Sequence, residues 1–239
     1  MNQPLSVRTV DIWKTFEAEP EPVHALQGIS LEVAQGEFTA IAGPSGCGKT
    51  TLLNVLGGLT RATSGEVWVA GSDLEALSER RLARLRLEHI GFVFQAYNLL
   101  PVLTALENAE FTLLLKGVDR QERRQRVLAL FAKLGLEDLE DRRPGRLSGG
   151  QQQRVAVVRA VVGAPAIVLA DEPTANLDSH ASDDLLRMME ELNHELGTTF
   201  IFATHDPRVM ERSHRLIRLV DGQIESDDVR APPAGAGSG

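Results

Sequence analysis

Three short runs in this chain carry residue types spaced for chemistry on phosphate. Gly43-Pro44-Ser45-Gly46-Cys47-Gly48-Lys49-Thr50 fits the spacing G-x-x-x-x-G-K-[ST]. In such a run the glycines let backbone N–H groups curl around phosphate oxygens, and Lys49 adds a cation. The hydroxyl of Thr50 suits a divalent metal, and Thr51 lies in the helix whose N-terminus favours negative charge. The run predicts a nucleoside triphosphate site. Further along, Ile167-Val168-Leu169-Ala170-Asp171-Glu172 is an apolar strand that delivers two carboxylates at its end, where ligands meet open α/β sheets. Between them, Leu147-Ser148-Gly149-Gly150-Gln151 places a hydroxyl and two glycines at a helix start, a second anion site made from N–H groups.

Regular elements must hold these runs. Strands are expected over Val7–Ile12, Ile29–Val33 and Glu37–Ala42, the last running into the phosphate loop and a helix over Gly48–Leu56. Gly65–Ala70 reads as a further strand, which puts antiparallel sheet beside a parallel core. Ser78–His89 has a helical, basic pattern, with Arg80, Arg81, Arg84 and Arg86 on a solvated face. Ile90–Phe94 reads as a short buried strand, and Thr104–Lys116 and Arg120–Leu134 as helices. The second of these should open on a capping box of Asp119 and Glu122 and stop at Gly135. After them come a helix over Gly150–Val162, a strand over Ala166–Ala170, a helix over Ser179–Leu196 ended by Gly197, and a strand over Thr199–Ala203. Alternating strands and helices imply a parallel sheet covered by helices.

Composition narrows the function classes. With 25 basic and 33 acidic residues the formal charge is −8, which argues against a surface dominated by nucleic acid or anionic lipid. Cys47 is the one cysteine, so an internal disulfide or a cysteine-rich metal site is excluded. The N-terminal Met1–Ser6 has no basic region followed by an apolar stretch and does not read as a secretory signal. The most apolar stretch, Ala160–Ala170, is too short to span hydrocarbon, which takes roughly 20 residues. Any membrane contact is therefore expected to run through a partner. Residues 231–239 are small and glycine-rich and read as a disordered tail.

A phosphate loop followed by Leu147-Ser148-Gly149-Gly150-Gln151 resembles the ABC ATPase family, over nearly the whole chain. The resemblance implies an α/β fold: a P-loop NTPase core with a mixed sheet, an N-terminal antiparallel β subdomain and an inserted α-helical subdomain. The expected division is 1–94 for the β subdomain and P-loop part, 95–146 for the helical subdomain and 147–230 for the rest of the core. In the family, Asp171 corresponds to the Walker B carboxylate that supports Mg²⁺, with Thr50, and Glu172 to the residue that polarises the attacking water. Pro173-Thr174-Ala175-Asn176-Leu177-Asp178 resembles the D-loop and brings Asp178 to the nucleotide. Gln95 matches the Q-loop glutamine that reaches Mg²⁺ and the water, and His205 the switch histidine at the γ-phosphate. Phe16 aligns with the aromatic that stacks on adenine, where the family more often has Tyr; Trp13 and Phe38 are nearby alternatives. Ser148, Gly149, Gly150 and Gln151 would cap the γ-phosphate of an ATP held by a second copy of the chain, giving a head-to-tail dimer around two ATP molecules.

The surroundings of Gln95, from Gly91 to Pro101 and Leu103 to Asn108, resemble the lipoprotein-releasing (LolD-type) and macrolide-export (MacB-type) ATPases. That implies a peripheral protein on the cytoplasmic face of the inner membrane, attached to a permease. Tyr97, Leu99 and Leu100 would either line a groove for the permease or pack the helical subdomain. A division-type (FtsE-like) regulator that moves no cargo is the nearer alternative. DNA- or ribosome-acting relatives are disfavoured by the absence of a second nucleotide module, a long coiled-coil insertion or zinc-binding cysteines. A scaffold with little turnover is disfavoured by the intact set Lys49, Gln95, Asp171, Glu172 and His205.

Overall fold

The computed structural model describes residues 4–230. Its elements run β1 (Leu5–Phe16), β2 (Val23–Ala34), β3 (Phe38–Ala42), α1 (Lys49–Leu56), β4 (Ser64–Val69), β5 (Ser72–Asp73), α2 (Glu79–His89) and β6 (Ile90–Phe94). They continue with α3 (Ala105–Leu115), α4 (Arg120–Lys133), a 3₁₀ turn over Pro144–Arg146, α5 (Gly149–Val161), β7 (Ile167–Asp171) and α6 (Ser179–Leu196). The last are β8 (Thr199–Thr204), α7 (Pro207–Arg212), β9 (Arg215–Val220) and β10 (Gln223–Val229).

Two sheets form. The first is antiparallel, in the order β2-β1-β4-β5; the second is six-stranded, in the order β10-β9-β3-β8-β7-β6. In the second, β9, β3, β8, β7 and β6 are parallel and β10 pairs antiparallel with β9. Parallel strands need both faces covered, so their sequences are apolar at nearly every position. Their side chains divide by alternation. Phe38, Ala40, Val168, Ala170, Phe200 and Phe202 enter one core with α3, α4, α5 and α6. Ile41, Ile167, Leu169, Ile201 and Ala203 enter a second core with α1 and the inner face of the antiparallel sheet, including Leu26, Ile29 and Val67. The central sheet is thus the shared wall of two cores. Among the described residues no helix is long and apolar enough to cross a membrane.

The expected elements are present, with strands β1 and β2 longer than the sequence pattern indicates. Gly197 ends α6 in a left-handed conformation, as its position predicts. The capping box expected at α4 is not there. The Asp119 carboxylate accepts from Gln121 N at 2.8 Å, whereas Glu122 turns along the helix to pair with Arg126, one turn on. Reciprocal boxes form instead at α3, between Thr104 and Glu107, and at α5, between Ser148 and Gln151. The sequence pattern also left β5, α7, β9 and β10 unassigned. The tail over 231–239 lies outside the described residues.

The seat of α5 on β6 depends on a missing side chain. A Cβ at Gly91 would lie 2.4 Å from the carbonyl oxygen of Ala160. Gly91→Ala is therefore expected to lower unfolding free energy by about 1–3 kcal/mol, the cost of overpacking a rigid contact. Denaturant titration checks this; an unchanged midpoint would contradict the close approach.

Candidate functional site

The site is built along one edge of the parallel sheet. In register, Phe94 of β6 faces Asp171 of β7, Asp171 faces Ala203 of β8, and Thr204 faces Ala42 of β3. Gln95, Asp171, Glu172, His205 and the loop opening at Gly43 thus emerge side by side at the carboxyl ends of neighbouring strands. This is where an open α/β sheet presents a ligand crevice.

The phosphate loop is tightly constrained. A Cβ at Gly43 would lie 2.1 Å from the carbonyl oxygen of Leu219. Gly48 has φ +105°, and a Cβ there would lie 2.4 Å from the carbonyl oxygen of Ala25. Only glycine meets both demands. Gly48 also occupies the N-cap of α1, so no side chain satisfies the first N–H groups of that helix, unlike α3, α4, α5, α6 and α7, which all have side-chain caps. Beside those N–H groups is a small cavity of about 130 Å³ lined by Gly46, Gly48, Lys49, Thr50 and Thr51, a lining whose free N–H groups and cation suit an anion. Lys49 is buried and donates to the carbonyls of Gly43 at 2.7 Å and Pro44 at 2.9 Å. Pro44 and Ser45 form the turn between Gly43 and the cradle, and Cys47 is buried, with its Sγ 3.9 Å from Lys49 Nζ.

Across the crevice, Thr50 Oγ1 donates to Asp171 Oδ1 at 3.0 Å. Burial pushes the Asp171 carboxyl above its ordinary pKa, opposed by the Thr50 hydrogen bond and reinforced by the neighbouring Glu172. Glu172 itself is held at φ +45°, a left-handed conformation that costs a non-glycine residue of order 1–3 kcal/mol and clusters at functional sites. Its N–H donates to Ala203 O at 2.9 Å, and its carboxylate accepts from Thr204 Oγ1 at 3.3 Å. His205 Nδ1 lies 2.7 Å from Glu172 Oε1. The His205 ring is exposed on its other edges.

The Ser148 run lies elsewhere. Ser148, Gly149, Gly150 and Gln151 line a surface hollow of about 340 Å³ with Asn176, Leu177, Asp178 and Ala181, and it shares no residue with the phosphate-loop cavity. Ser148 Oγ accepts from Gln151 N at 3.2 Å while Gln151 Oε1 accepts from Ser148 N at 2.9 Å. That box leaves the Ser148 hydroxyl free to donate its own hydrogen. Asp178 is the N-cap of α6, accepting from Ala181 N at 2.8 Å. Of the aromatic alternatives, Phe38 is fully buried against Phe200 and Phe202 and can meet no ligand. Trp13 and Phe16 are exposed, with Lys14 Nζ 4.9 Å from the Phe16 ring centre.

Residues 26–175 match the ABC transporter family. The chain belongs to that family. The ABC protein LolD of Anaeromyxobacter dehalogenans, a lipoprotein-releasing system ATP-binding protein, is 46% identical over 231 residues, covering 95% of this chain and 97% of the relative. The macrolide export ATP-binding/permease protein MacB of Escherichia coli K12 is also 46% identical, over 94% of this chain but only 34% of its own length. This cassette therefore spans about a third of that relative. Among solved structures, the ATP-binding cassette MJ0796, a dimer bound to ADP and Pi in a post-hydrolysis state, superposes with a TM-score of 0.88 at 40% identity, over 94% of this chain and 99% of that one. The chain is an ABC-type ATPase with the nucleotide-binding subunit fold.

Hydrogen bonds tie the ABC motifs together, some from residues of the D-loop run and others, Gln153, Asp206 and Arg159, from residues outside any of the motifs. Asn176 Nδ2 donates to Gln95 O at 2.9 Å, and Gln153 Nε2 donates to Pro173 O at 2.8 Å. Thr174 Oγ1 donates to Asp206 Oδ2 at 2.7 Å. Arg159 donates to the carbonyls of Tyr97 at 2.8 Å and Asn98 at 2.6 Å, two consecutive residues at positive φ. A cation inside the apolar run of α5 is the signal that marks it. Tyr97 and Leu99 are half-buried rather than exposed: the Tyr97 hydroxyl lies against Gly149, and Leu99 packs on the helical core. Leu100 alone of the three is exposed.

The Asp171 environment gives the cassette a pH signature. Because its folded pKa is raised, this group favours folding most below the unfolded pKa of about 4, and the contribution is lost as pH rises through the folded value. Asp171→Asn retains an acceptor for Thr50 and removes the buried charge. Without nucleotide, the variant is expected to melt above wild type at neutral pH, with the gap closing as pH falls towards about 4. A pH-independent gap in scanning calorimetry would contradict the burial argument.

Proposed function

We propose that this cassette hydrolyses ATP in a head-to-tail dimer and thereby moves a LolCE- or MacB-like permease. The observation that carries the reading is the separation of the two anion sites: the uncapped N-terminus of α1 and the Ser148 hollow share no residue within one chain. Each offers half of a triphosphate site, and a second copy supplies the complement. The dimeric MJ0796 cassette, bound to ADP and Pi, supports this.

In the proposed cycle, phosphate oxygens replace the carbonyls of Gly43 and Pro44 as acceptors for Lys49, and the N–H groups of Gly46, Gly48, Thr50 and Thr51 complete the cradle. Phe16 stacks on adenine. The Thr50 hydroxyl and the Asp171 carboxylate are hard oxygen donors on facing elements 3.0 Å apart. That donor set fits Mg²⁺, with the Gln95 side-chain oxygen as a further ligand. When bound, the ion neutralises charge on the β- and γ-phosphates. Glu172 orients the attacking water, and His205, which here caps that carboxylate, turns to the γ-phosphate. Ser148 of the second copy donates its hydroxyl to the same phosphate, beside the N–H groups of Gly149 and Gly150 and the side chain of Gln151. Asp178 lies on that seam. Residues 95–146 form the helical subdomain between the two parts of the core, 1–94 and 147–230. Leu100, beside the Gln95 loop, faces the permease, which holds the cassette on the cytoplasmic side of the inner membrane.

Glu172→Gln is expected to bind ATP, hydrolyse it roughly 10²–10⁴-fold more slowly, and run as an ATP-dependent dimer in light scattering. Adding Ser148→Arg should return it to a monomer that still binds ATP. Normal turnover by the first variant, or a dimer in the second, would overturn the assignments. Purification with the membrane partner from native cells tests the permease reading. A division-type partner without cargo would replace it with the regulatory one.

A further inference from the structure

At the opposite edge of the sheet from the phosphate loop, three side chains outside the ATPase machinery converge. Glu190 and His194 are one turn apart on α6, so they project from the same helix face. His214 lies immediately before β9 and donates its backbone N–H to Phe38 O, at the amino end of β3. One donor atom from each of the three lies within 4.8 Å of the other two. Glu190 Oε1 is 4.0 Å from His214 Nε2, and the rings of His194 and His214 are 6.1 Å apart, centre to centre.

We propose that Glu190, His194 and His214 bind one borderline first-row divalent cation of the Zn²⁺ class, clamping α6 to the start of β9. Two imidazoles and a carboxylate are the donor set that such ions take, with a fourth position left to water. At ligand distances of about 2.0–2.2 Å, tetrahedral donors stand roughly 3.3 Å apart. Closing from at most 4.8 Å takes only side-chain rotation, for which exposed His194 has room. Glu190 is oriented from behind: Arg212 Nη1 holds its Oε2 at 3.5 Å and leaves Oε1 turned towards His214. That is the outer-shell support found at protein metal sites. The positive Arg212 opposes the charge of the ion, which places the site among modest binders rather than obligatory structural ones. The Phe38 ring lies 6.0 Å from that of His214, centre to centre. Imidazole ligands select Zn²⁺, Ni²⁺ or Cu²⁺ over Mg²⁺, so the Mg²⁺ required for ATP does not compete here.

The test is calorimetric titration of the chelator-treated protein, without a polyhistidine tag, with Zn²⁺ in millimolar Mg²⁺. One equivalent should bind and raise the melting temperature by mass action. His194→Ala and His214→Ala should each weaken binding by roughly tenfold or more. ATP hydrolysis measured without Zn²⁺ should stay unchanged in His194→Ala. His194 is exposed on its helix, so that variant tests the site even if His214→Ala fails to fold. The His205–Glu172 pair provides the control, and His205→Ala should keep the binding. Absence of Zn²⁺ binding, equal affinity in His194→Ala and wild type, or loss only in His205→Ala would each overturn the proposal.

Discussion

The parallel register of β3, β8, β7 and β6 is the constraint on which the rest depends. The strands end within one residue of a common level, so the next residue of each, Gly43, His205, Glu172 and Gln95, is delivered to one edge. A one-residue slip in any pairing would turn that strand's apolar side chains from one core to the other. Because both faces of the sheet are buried, such a slip is prohibitive. The two cores that flank the sheet therefore hold the site in place, and Cys47 and Leu147 anchor its runs in them.

A second rule governs the site itself: its polar groups satisfy one another. Lys49 is bound by its own loop carbonyls, Thr50 by Asp171, His205 by Glu172, and Ser148 by Gln151. Only Lys49 is buried among these donors, so its loop carbonyls spare it the cost of an unpaired buried charge, whereas the bonds of exposed Thr50, His205 and Ser148 serve to orient them. The first N–H groups of α1, which Gly48 cannot cap, have no such side-chain partner. They are the part of the site that points to an anion from outside the chain.

Much of the architecture was legible in the sequence. The alternating elements, the strand-loop-helix setting of the phosphate loop and the Gly197 stop of α6 all follow from local rules. The misses have physical reasons. Asp119 and Glu122 have the spacing of a capping box, but Arg126 takes the glutamate. β10 is a polar edge strand, Gln-Ile-Glu-Ser-Asp-Asp-Val, with one strand partner and only Ile224 and Ser226 partly covered, so little imposes an apolar pattern. The Asp221-Gly222 turn before it, with both residues at positive φ, was the available signal. α7 was similarly announced by Asp206 as N-cap and Pro207 at its first position.

The sequence alone determined which chemistry the chain carries, because phosphate binding by N–H groups depends on short runs whose glycines, lysine and hydroxyls are neighbours in the chain. It determined the family for the same reason. Only the tertiary structure decided which aromatics are available to a ligand, since burial removes Phe38 and leaves Phe16 exposed. It alone separated the Ser148 hollow from the phosphate-loop cradle and brought Glu190, His194 and His214 together. Those relations join residues distant in sequence, and packing, not local conformational preference, sets distances between them.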